Sequence, residues 1–375
     1  MMEAKIRKPA VAGSFYAGDA KELRQDVQNC FSRCKNPLME NVQAVIVPHA
    51  GYVFSGVTAA SAFAAINPDA EYEHIFLLGP SHHVYLGKAS VNIGVSAYAT
   101  PLGNVPVDTA LCKDLMEKSD AITYAQEAHE SEHCLEVELP FLQYHMKKLP
   151  SIVPIIIATQ ELTTLKKIAD TLKPYLNEKN LFVISSDFSH YPAYKDAEIV
   201  DGLTKDSIMT GKVEAFVNAT LHNQELGIDH LATSACGMAP IATLLMMTEN
   251  DANIKPHHVM YCNSGDSPYG RKDKVVGYHS FVFTTETCGF DLTSEDRKML
   301  KSIAYHTIKA TLEGKKYEPG KLSDVLLTKC GAFVSLHKKG RLRGCIGHFG
   351  EDMPLYQVVE HMAKAAAFED PRFYG

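Results

Sequence analysis

Val45-Ile46-Val47-Pro48-His49 is a short apolar run that ends in a turn residue and a histidine. The same order recurs in Phe76-Leu77-Leu78-Gly79-Pro80-Ser81-His82-His83 and in Val183-Ile184-Ser185-Ser186-Asp187-Phe188-Ser189-His190. Runs of this length, saturated with apolar residues and lacking alternation, suit strands buried on both faces, as in a parallel sheet covered by helices. In such sheets ligands bind beyond the carboxyl ends of the strands, so side chains placed there by separate strands converge on one crevice. Pro48, Pro80, Gly51, Gly56 and Gly79 suit tight turns that hold those side chains without long loops.

The apolar pattern predicts strands at 44–47, 74–78, 152–158, 181–185, 258–262 and 275–283. Helices are expected at 57–66, 108–118, 135–146, 162–176 and 234–248; in the third of these Leu135, Leu139 and Leu142 recur at helical spacing. Residues 1–285 therefore read as an α/β domain with a mostly parallel sheet flanked by helices. A chain of 375 residues exceeds what one core usually organises. The pattern resets near Cys288, and Thr293-Ser294-Glu295-Asp296 reads as a helix start with acidic residues in its first turn. A helix to about residue 312, a hairpin of 332–337 and 342–346 turning through Lys338-Lys339-Gly340, and a last helix after Pro354 predict a small α+β domain over 290–375.

Composition bounds the setting. Apolar residues make up 46% and charged residues 22%, and no uncharged run is long enough to span a bilayer, which excludes a membrane protein. The start, Met1 to Pro9, is basic but leads into no apolar block, so no export signal is expected. Nine widely spread cysteines without a C-x-x-C pair fit a reducing compartment, and a cytoplasmic location is expected. A net charge of −7 argues against whole-surface attraction to nucleic acid.

Imidazole is the commonest metal ligand, and paired histidines joined by a carboxylate or thiolate make sites for iron, copper or zinc. With 17 histidines, any one alone reads as a surface or capping residue; three that each follow a buried strand point to a convergent site. Cys236, in Ser234-Ala235-Cys236-Gly237-Met238, is a candidate fourth contributor, because small neighbours would let a helix N-terminus approach and lower the thiol pKa; taken alone it reads as a small buried hydrophobe. The stretch from Glu130 to Glu138 reads first as an acidic helix start on a solvated face, and second as a lining of the site. His257 and His258, at a strand start, read as structural, and Asn263 to Asp266 as a turn.

At these residues the sequence resembles the Memo family. The resemblance rests on Ala12-Gly13-Ser14-Phe15-Tyr16, Pro48-His49-Ala50-Gly51-Tyr52 with Ser55-Gly56, Leu78-Gly79-Pro80-Ser81-His82-His83, Glu132-His133 and Ser185-Ser186-Asp187-Phe188-Ser189-His190, in family order over roughly residues 5–284. It implies a fold like that of class III extradiol dioxygenases, which hold non-haem iron(II) with two histidines and a glutamate, with a cysteine in place of the glutamate. Carried over, the resemblance implies one non-haem metal ion on His49, His82 and Cys236, with Asp187 and His190 as catalytic groups beside it. Iron(II) or copper is expected, with zinc the redox-inert alternative, since a thiolate favours softer ions than a carboxylate does. The expected function is metal-dependent redox chemistry on an unknown small molecule; the alternatives are a non-catalytic metal-binding or adaptor role and metal-dependent hydrolysis.

Leu342-Arg343-Gly344-Cys345-Ile346-Gly347, Pro354-Leu355 and Ala365-Ala366-Ala367-Phe368-Glu369-Asp370-Pro371-Arg372-Phe373 resemble the AMMECR1 domain, which is expected to be incomplete here. Together the two resemblances imply a component of the AmmeMemoRadiSam system and a radical SAM protein as partner. Cys345, near Arg341 and Arg343, reads either as a reactive thiolate or as a cysteine packed in the hairpin. The charges at the hairpin tip read as solvated rather than as a nucleic-acid contact.

Overall fold

The computed structural model describes residues 5–286, 292–350 and 352–373. The chain divides into two compact units, residues 1–286 and 287–375. Cys288, around which the sequence pattern resets, lies outside the described residues.

Strands are numbered in chain order. In the first unit a small sheet has the order β1 (Ile6–Arg7), β5 (Ala97–Thr100), β6 (Gly103–Pro106). The main sheet has the order β10 (Ile254–Asn263), β11 (Gly277–Thr285), β2 (Val42–Val47), β9 (Asn180–Ser185), β3 (His74–Pro80), β8 (Ser151–Ala158), β4 (Lys88–Val91), β7 (Ile122–Thr123). Its centre, β2, β9, β3 and β8, is parallel. The flanking β10, β11 and β4 join antiparallel. Every residue of β2 and β9 is buried, as strands covered on both faces must be. Val47 lies beside Ser185 and Leu78 beside Ile184, so the three strands that precede histidines end along the same edge.

Helices flank this sheet. The helix Tyr52–Ala64 packs on β2, β10 and β11, and the helix Met238–Thr248 on β3 and β9. The second of these is apolar all round and buried from Ala239 to Thr248, the pattern of a helix enclosed by its neighbours. Two expected helices begin later than their apolar spacing suggested, for one reason. A proline is tolerated only in the first helical turn, where its missing N–H is not needed. Pro140 therefore sets the start of Leu139–His145 after a 3-10 turn at Glu136–Glu138, and Pro240 sets the start of Met238–Thr248. The helix Ala20–Ser32, not expected from the sequence, is capped by the Asp19 carboxylate, which accepts from the N–H groups of Lys21 and Glu22, and it buries Leu23, Val27 and Cys30 at helical spacing. The helices Tyr194–Met209 and Val213–Glu225 were also unforeseen.

The second unit follows its sequence pattern. Thr293 caps the helix Ser294–Leu312 in a reciprocal box with Asp296. The hairpin β12 (Ala332–Lys338) and β13 (Arg341–His348) turns through Lys339 and Gly340, both at positive φ, 53° and 79°. The helix Leu355–Phe368 closes a small core of Ile303, Leu326, Val334, Leu355, Val359 and Ala363. Among the described residues no helix is long and apolar enough to cross a membrane.

Candidate metal centre

His49 stands two residues past the end of β2, after Pro48, and is buried. Its backbone N–H donates to Asp187 Oδ1 at 2.8 Å, and its ring Nδ1 lies 2.7 Å from Ser185 Oγ. The Ser185 hydroxyl has one proton and gives it to the carbonyl of Cys134 at 2.7 Å, an atom that can only accept. Ser185 Oγ must then accept from His49 Nδ1–H, which leaves the lone pair on Nε2, the nitrogen 3.3 Å from Cys236 Sγ. Glu138 Oε1 lies 3.2 Å from the same hydroxyl; burial pushes this carboxyl well above the usual range, so it is protonated and donates there too. Burial and the neighbouring His82, His133 and His190 hold His49 neutral, well below its ordinary pKa. The tautomer of His49 is thus set from behind, with the unprotonated Nε2 facing Cys236.

His82 is held by Glu132. Glu132 Oε1 lies 2.8 Å from His82 Nδ1, and Oε2 accepts from the His82 backbone N–H at 2.7 Å. Oε1 also accepts from the N–H groups of His133 and Cys134. Burial raises the Glu132 pKa, but the His82 bonds outweigh it and bring the carboxyl down to about 2. On His82, burial lowers the pKa while the bond and charge of Glu132 raise it, with a net rise. The stretch that carries Glu132 is itself clamped. Arg7, in β1, pairs with Glu136 at 2.7 Å and donates to the carbonyls of His129 and Glu132, and Tyr16 donates to Glu136 Oε1 at 2.6 Å.

This overturns the first reading of residues 130–138 as a solvated acidic face. Glu132, Glu136 and Glu138 are all buried, because one bonds His82, one meets a buried arginine and one is neutral. The second reading holds for Glu132 and His133, whose ring stacks on His82 with centroids 4.9 Å apart and meets His49 edge-on at 5.4 Å.

Cys236 lies just ahead of the helix Met238–Thr248, where Gly237 is required because a Cβ there would collide with Ser186. The expectation that this helix start lowers the thiol pKa is corrected. Burial, with the Asp187 charge, pushes the thiol well above its ordinary value, although its sulfur accepts the Asp187 N–H at 3.2 Å. Asp187 is raised to about 7, chiefly by burial, against the opposing hydrogen bond from His49. His190 donates through Nδ1 to the carbonyl of Phe188 at 2.8 Å, which leaves Nε2 free to accept a proton, and burial lowers its pKa. His257 and His258 lie within β10, bonded to Thr284 and His279, as structural histidines.

The donor atoms of His49, His82 and Cys236 all lie within 4.8 Å of one another. A tetrahedral ion with nitrogen and sulfur donors spaces them roughly 3.4–3.6 Å apart. His49 and Cys236 already stand at 3.3 Å, so the set closes on an ion by small side-chain rotations. The chemistry fits as well: two imidazoles fixed from behind by Ser185 and Glu132, and a thiol that a bound cation would deprotonate. A second grouping, His82, Glu132 and Cys134, fits less well, because the buried Cys134 thiol is committed to the Pro80 carbonyl at 3.3 Å and its pKa is raised by burial. Beside the centre opens a cleft of about 610 Å³ lined in part by His82, His83, Thr159, Gln160 and Cys236.

In the second unit Cys345 lies 3.1 Å from Ser335 Oγ, its backbone N–H donates to Asp370, and Arg372 holds both Asp370 and the Cys345 carbonyl. Arg341 and Arg343, the expected cationic neighbours of the thiol, make no hydrogen bond to it among the described residues.

Comparison with known proteins gives the chain its relatives. A family model described as Memo-like protein matches residues 7–282, and one described as AMMECR1 matches residues 301–375. A MEMO1 family protein of Aeropyrum pernix is 35% identical over 287 residues, covering 73% of this chain and 98% of its own. One of Nitrosopumilus maritimus is 32% identical over 287 residues, covering 74% and 99%. Among solved structures, the uncharacterized protein JW3007 of Escherichia coli K12 aligns over 64% of this chain and 98% of its own at 15% identity, with a TM-score of 0.44, too low to carry an argument. With the strand-end histidines gathered around Cys236 and a family match spanning nearly the whole first unit, the chain belongs to the Memo family, and its second unit matches AMMECR1.

Proposed function

We propose that this chain is a metal-dependent redox enzyme, dioxygenase-like, that holds iron(II) or copper on His49, His82 and Cys236 and acts in the AmmeMemoRadiSam system. The observation that carries the reading is the convergence of those three donors within 4.8 Å, each from a separate segment of chain. When bound, such an ion would supply electron transfer and Lewis acidity to a small molecule or dioxygen reaching it through the cleft. The protein's own part is positional. Ser185 and Glu132 fix which imidazole nitrogens face inward. His190, with Nδ1 tied to Phe188, takes up a proton at Nε2. Asp187, titrating near 7 in the metal-free site, can hold or release one beside Cys236. Nine cysteines spread along the chain without a C-x-x-C pair support work in a reducing compartment such as the cytoplasm.

The test is elemental analysis of protein purified without oxygen or chelators, alongside oxygen uptake. Stoichiometric iron or copper is expected, lost in His49→Ala together with oxygen consumption; full occupancy in that variant rejects the ligand assignment. Zinc as the native ion would turn the reading toward hydrolysis.

One feature favours a non-catalytic role in metal storage or in docking a radical SAM partner, namely the soft thiolate donor where a dioxygenase has a carboxylate. Co-purification of that partner that survives His190→Ala, with no turnover, supports this second reading. Turnover abolished by His190→Ala rejects it.

A further inference from the structure

We propose that His83, Glu132 and His133 form a second divalent-metal site beside the His49–His82–Cys236 centre, for an ion that prefers nitrogen and oxygen donors. The donor atoms of these three side chains lie within 4.8 Å of one another. The carboxylate has capacity to spare. Glu132 Oε1 accepts from His82 Nδ1 and from the N–H groups of His133 and Cys134, at 2.8, 3.0 and 3.2 Å. Oε2 accepts from the His82 N–H at 2.7 Å, and a carboxylate oxygen has two lone pairs to offer. Glu132 is 3% exposed, and no lysine or arginine side chain donates to its carboxylate among the described residues: Arg7, the nearby cation, bonds the Glu132 carbonyl and the Glu136 carboxylate instead. A buried carboxylate with an open lone pair is a strong oxygen donor.

The two imidazoles flank it. His133 Nδ1 stands 3.4 Å from Glu132 Oε1, and its ring lies nearly parallel to that of His82, at 26°. His83 is exposed on the cleft wall, so its side chain can swing to close the set around an ion without moving the core. Two imidazoles and one carboxylate make the facial donor set of non-haem iron(II) sites, with positions left open. Their chemistry differs from that of the thiolate centre, so the two sites select different ions. Glu132 links them, with Oε1 orienting His82 for the first ion while the same carboxylate offers a donor oxygen to the second. The inference stands beside the proposed redox function and does not depend on it.

The test is titration of the metal-free full chain with Co2+, followed by absorption. The thiolate-to-cobalt charge-transfer band reads the Cys236 centre, and the ligand-field bands read both. Wild type is expected to bind two equivalents, with the charge-transfer band saturating before the ligand-field bands. His83→Ala with His133→Ala is expected to bind one and keep the charge-transfer band; Cys236→Ser is expected to lose that band and keep one. Saturation of wild type at one equivalent, or retention of two equivalents by the double variant, overturns the proposal. The exposed His83→Ala alone, which leaves the buried packing untouched, guards against misfolding, and weakening of its second equivalent by at least tenfold is required. Because the band reports Cys236 separately, failure of the second site and failure of the first are distinguishable.

Discussion

Ser185→Ala is the sharpest probe of the centre, because Ser185 touches no candidate donor atom on the ion-facing side and yet fixes His49. The substitution removes the acceptor of His49 Nδ1–H and the donor to the Cys134 carbonyl, both at 2.7 Å and both buried, and takes from Glu138 its side-chain partner among the described residues. Leaving a buried N–H unpaired costs about 1–3 kcal/mol and each of the two other lost bonds about 1 kcal/mol, so the metal-free protein should lose about 3–5 kcal/mol. Ligand-orienting partners of this kind are worth about 10–100-fold in metal affinity. The assay pairs urea unfolding of the metal-free protein with Zn2+ titration against a competing chelator, and adds 15N spectra of the imidazoles. Ser61→Ala is the control, since that hydroxyl is equally buried but bonds Thr58 and Ser280 and no histidine. If Ser185→Ala loses stability as Ser61→Ala does while its Zn2+ affinity stays within twofold of wild type, Ser185 only packs, and the argument from tautomer fails.

Two further outcomes follow from the carboxyl and thiol states. Glu132→Gln, in metal-free protein, should be destabilised by up to about 3 kcal/mol, the equivalent of a carboxyl moved from 4.5 to about 2 and shared with His82 rather than added to it. The sign has two limbs. The depressed Glu132 pKa gives stability that is present above 4.5 and lost as pH falls toward 2; the raised His82 pKa gives stability that is full below 6.5 and lost as pH rises through its folded value. The gap between wild type and variant in urea unfolding should therefore peak between about pH 4.5 and 6.5, and a gap that grows steadily toward alkaline pH would contradict the assignment. Because Cys236 is a thiol in the metal-free centre, Zn2+ affinity should rise about tenfold per pH unit near neutrality, with proton release visible by calorimetry in buffers of different ionisation enthalpy, and Cys236→Ser should flatten that slope.

The main sheet was readable because strands buried on both faces write themselves as unbroken apolar runs, and β2, β3 and β9 each do so just before a histidine. The short strands β4 and β7 and the half-polar helices Tyr194–Met209 and Val213–Glu225 were not, since they bury only part of their surface and carry no dominant period. Helix starts were misread where a proline, and not the apolar spacing, decides the first turn. At the candidate centre, strand placement and family motif single out His49, His82 and Cys236, which the fold brings together, whereas the partners that Ser185, Glu132 and Arg7 take are not legible.

Those omissions share a cause. A glutamate in a sequence looks the same whether water, a buried arginine or a histidine satisfies it, and local charge density favours the solvated reading. The residues between 130 and 138 hold all the outcomes at once: Glu130 is exposed, Glu132 orients His82, Glu136 meets Arg7, and Glu138 is neutral against Ser185. The partner that distinguishes Glu136 lies 129 positions earlier in the chain. A buried ion pair is costly unless both charges are fully bonded, and Arg7 is, through Glu136 and the carbonyls of His129 and Glu132. That pair gives little net stability, and its effect is geometric: it fixes the backbone on which Glu132 and His133 are mounted, and through Glu132 the direction in which His82 points.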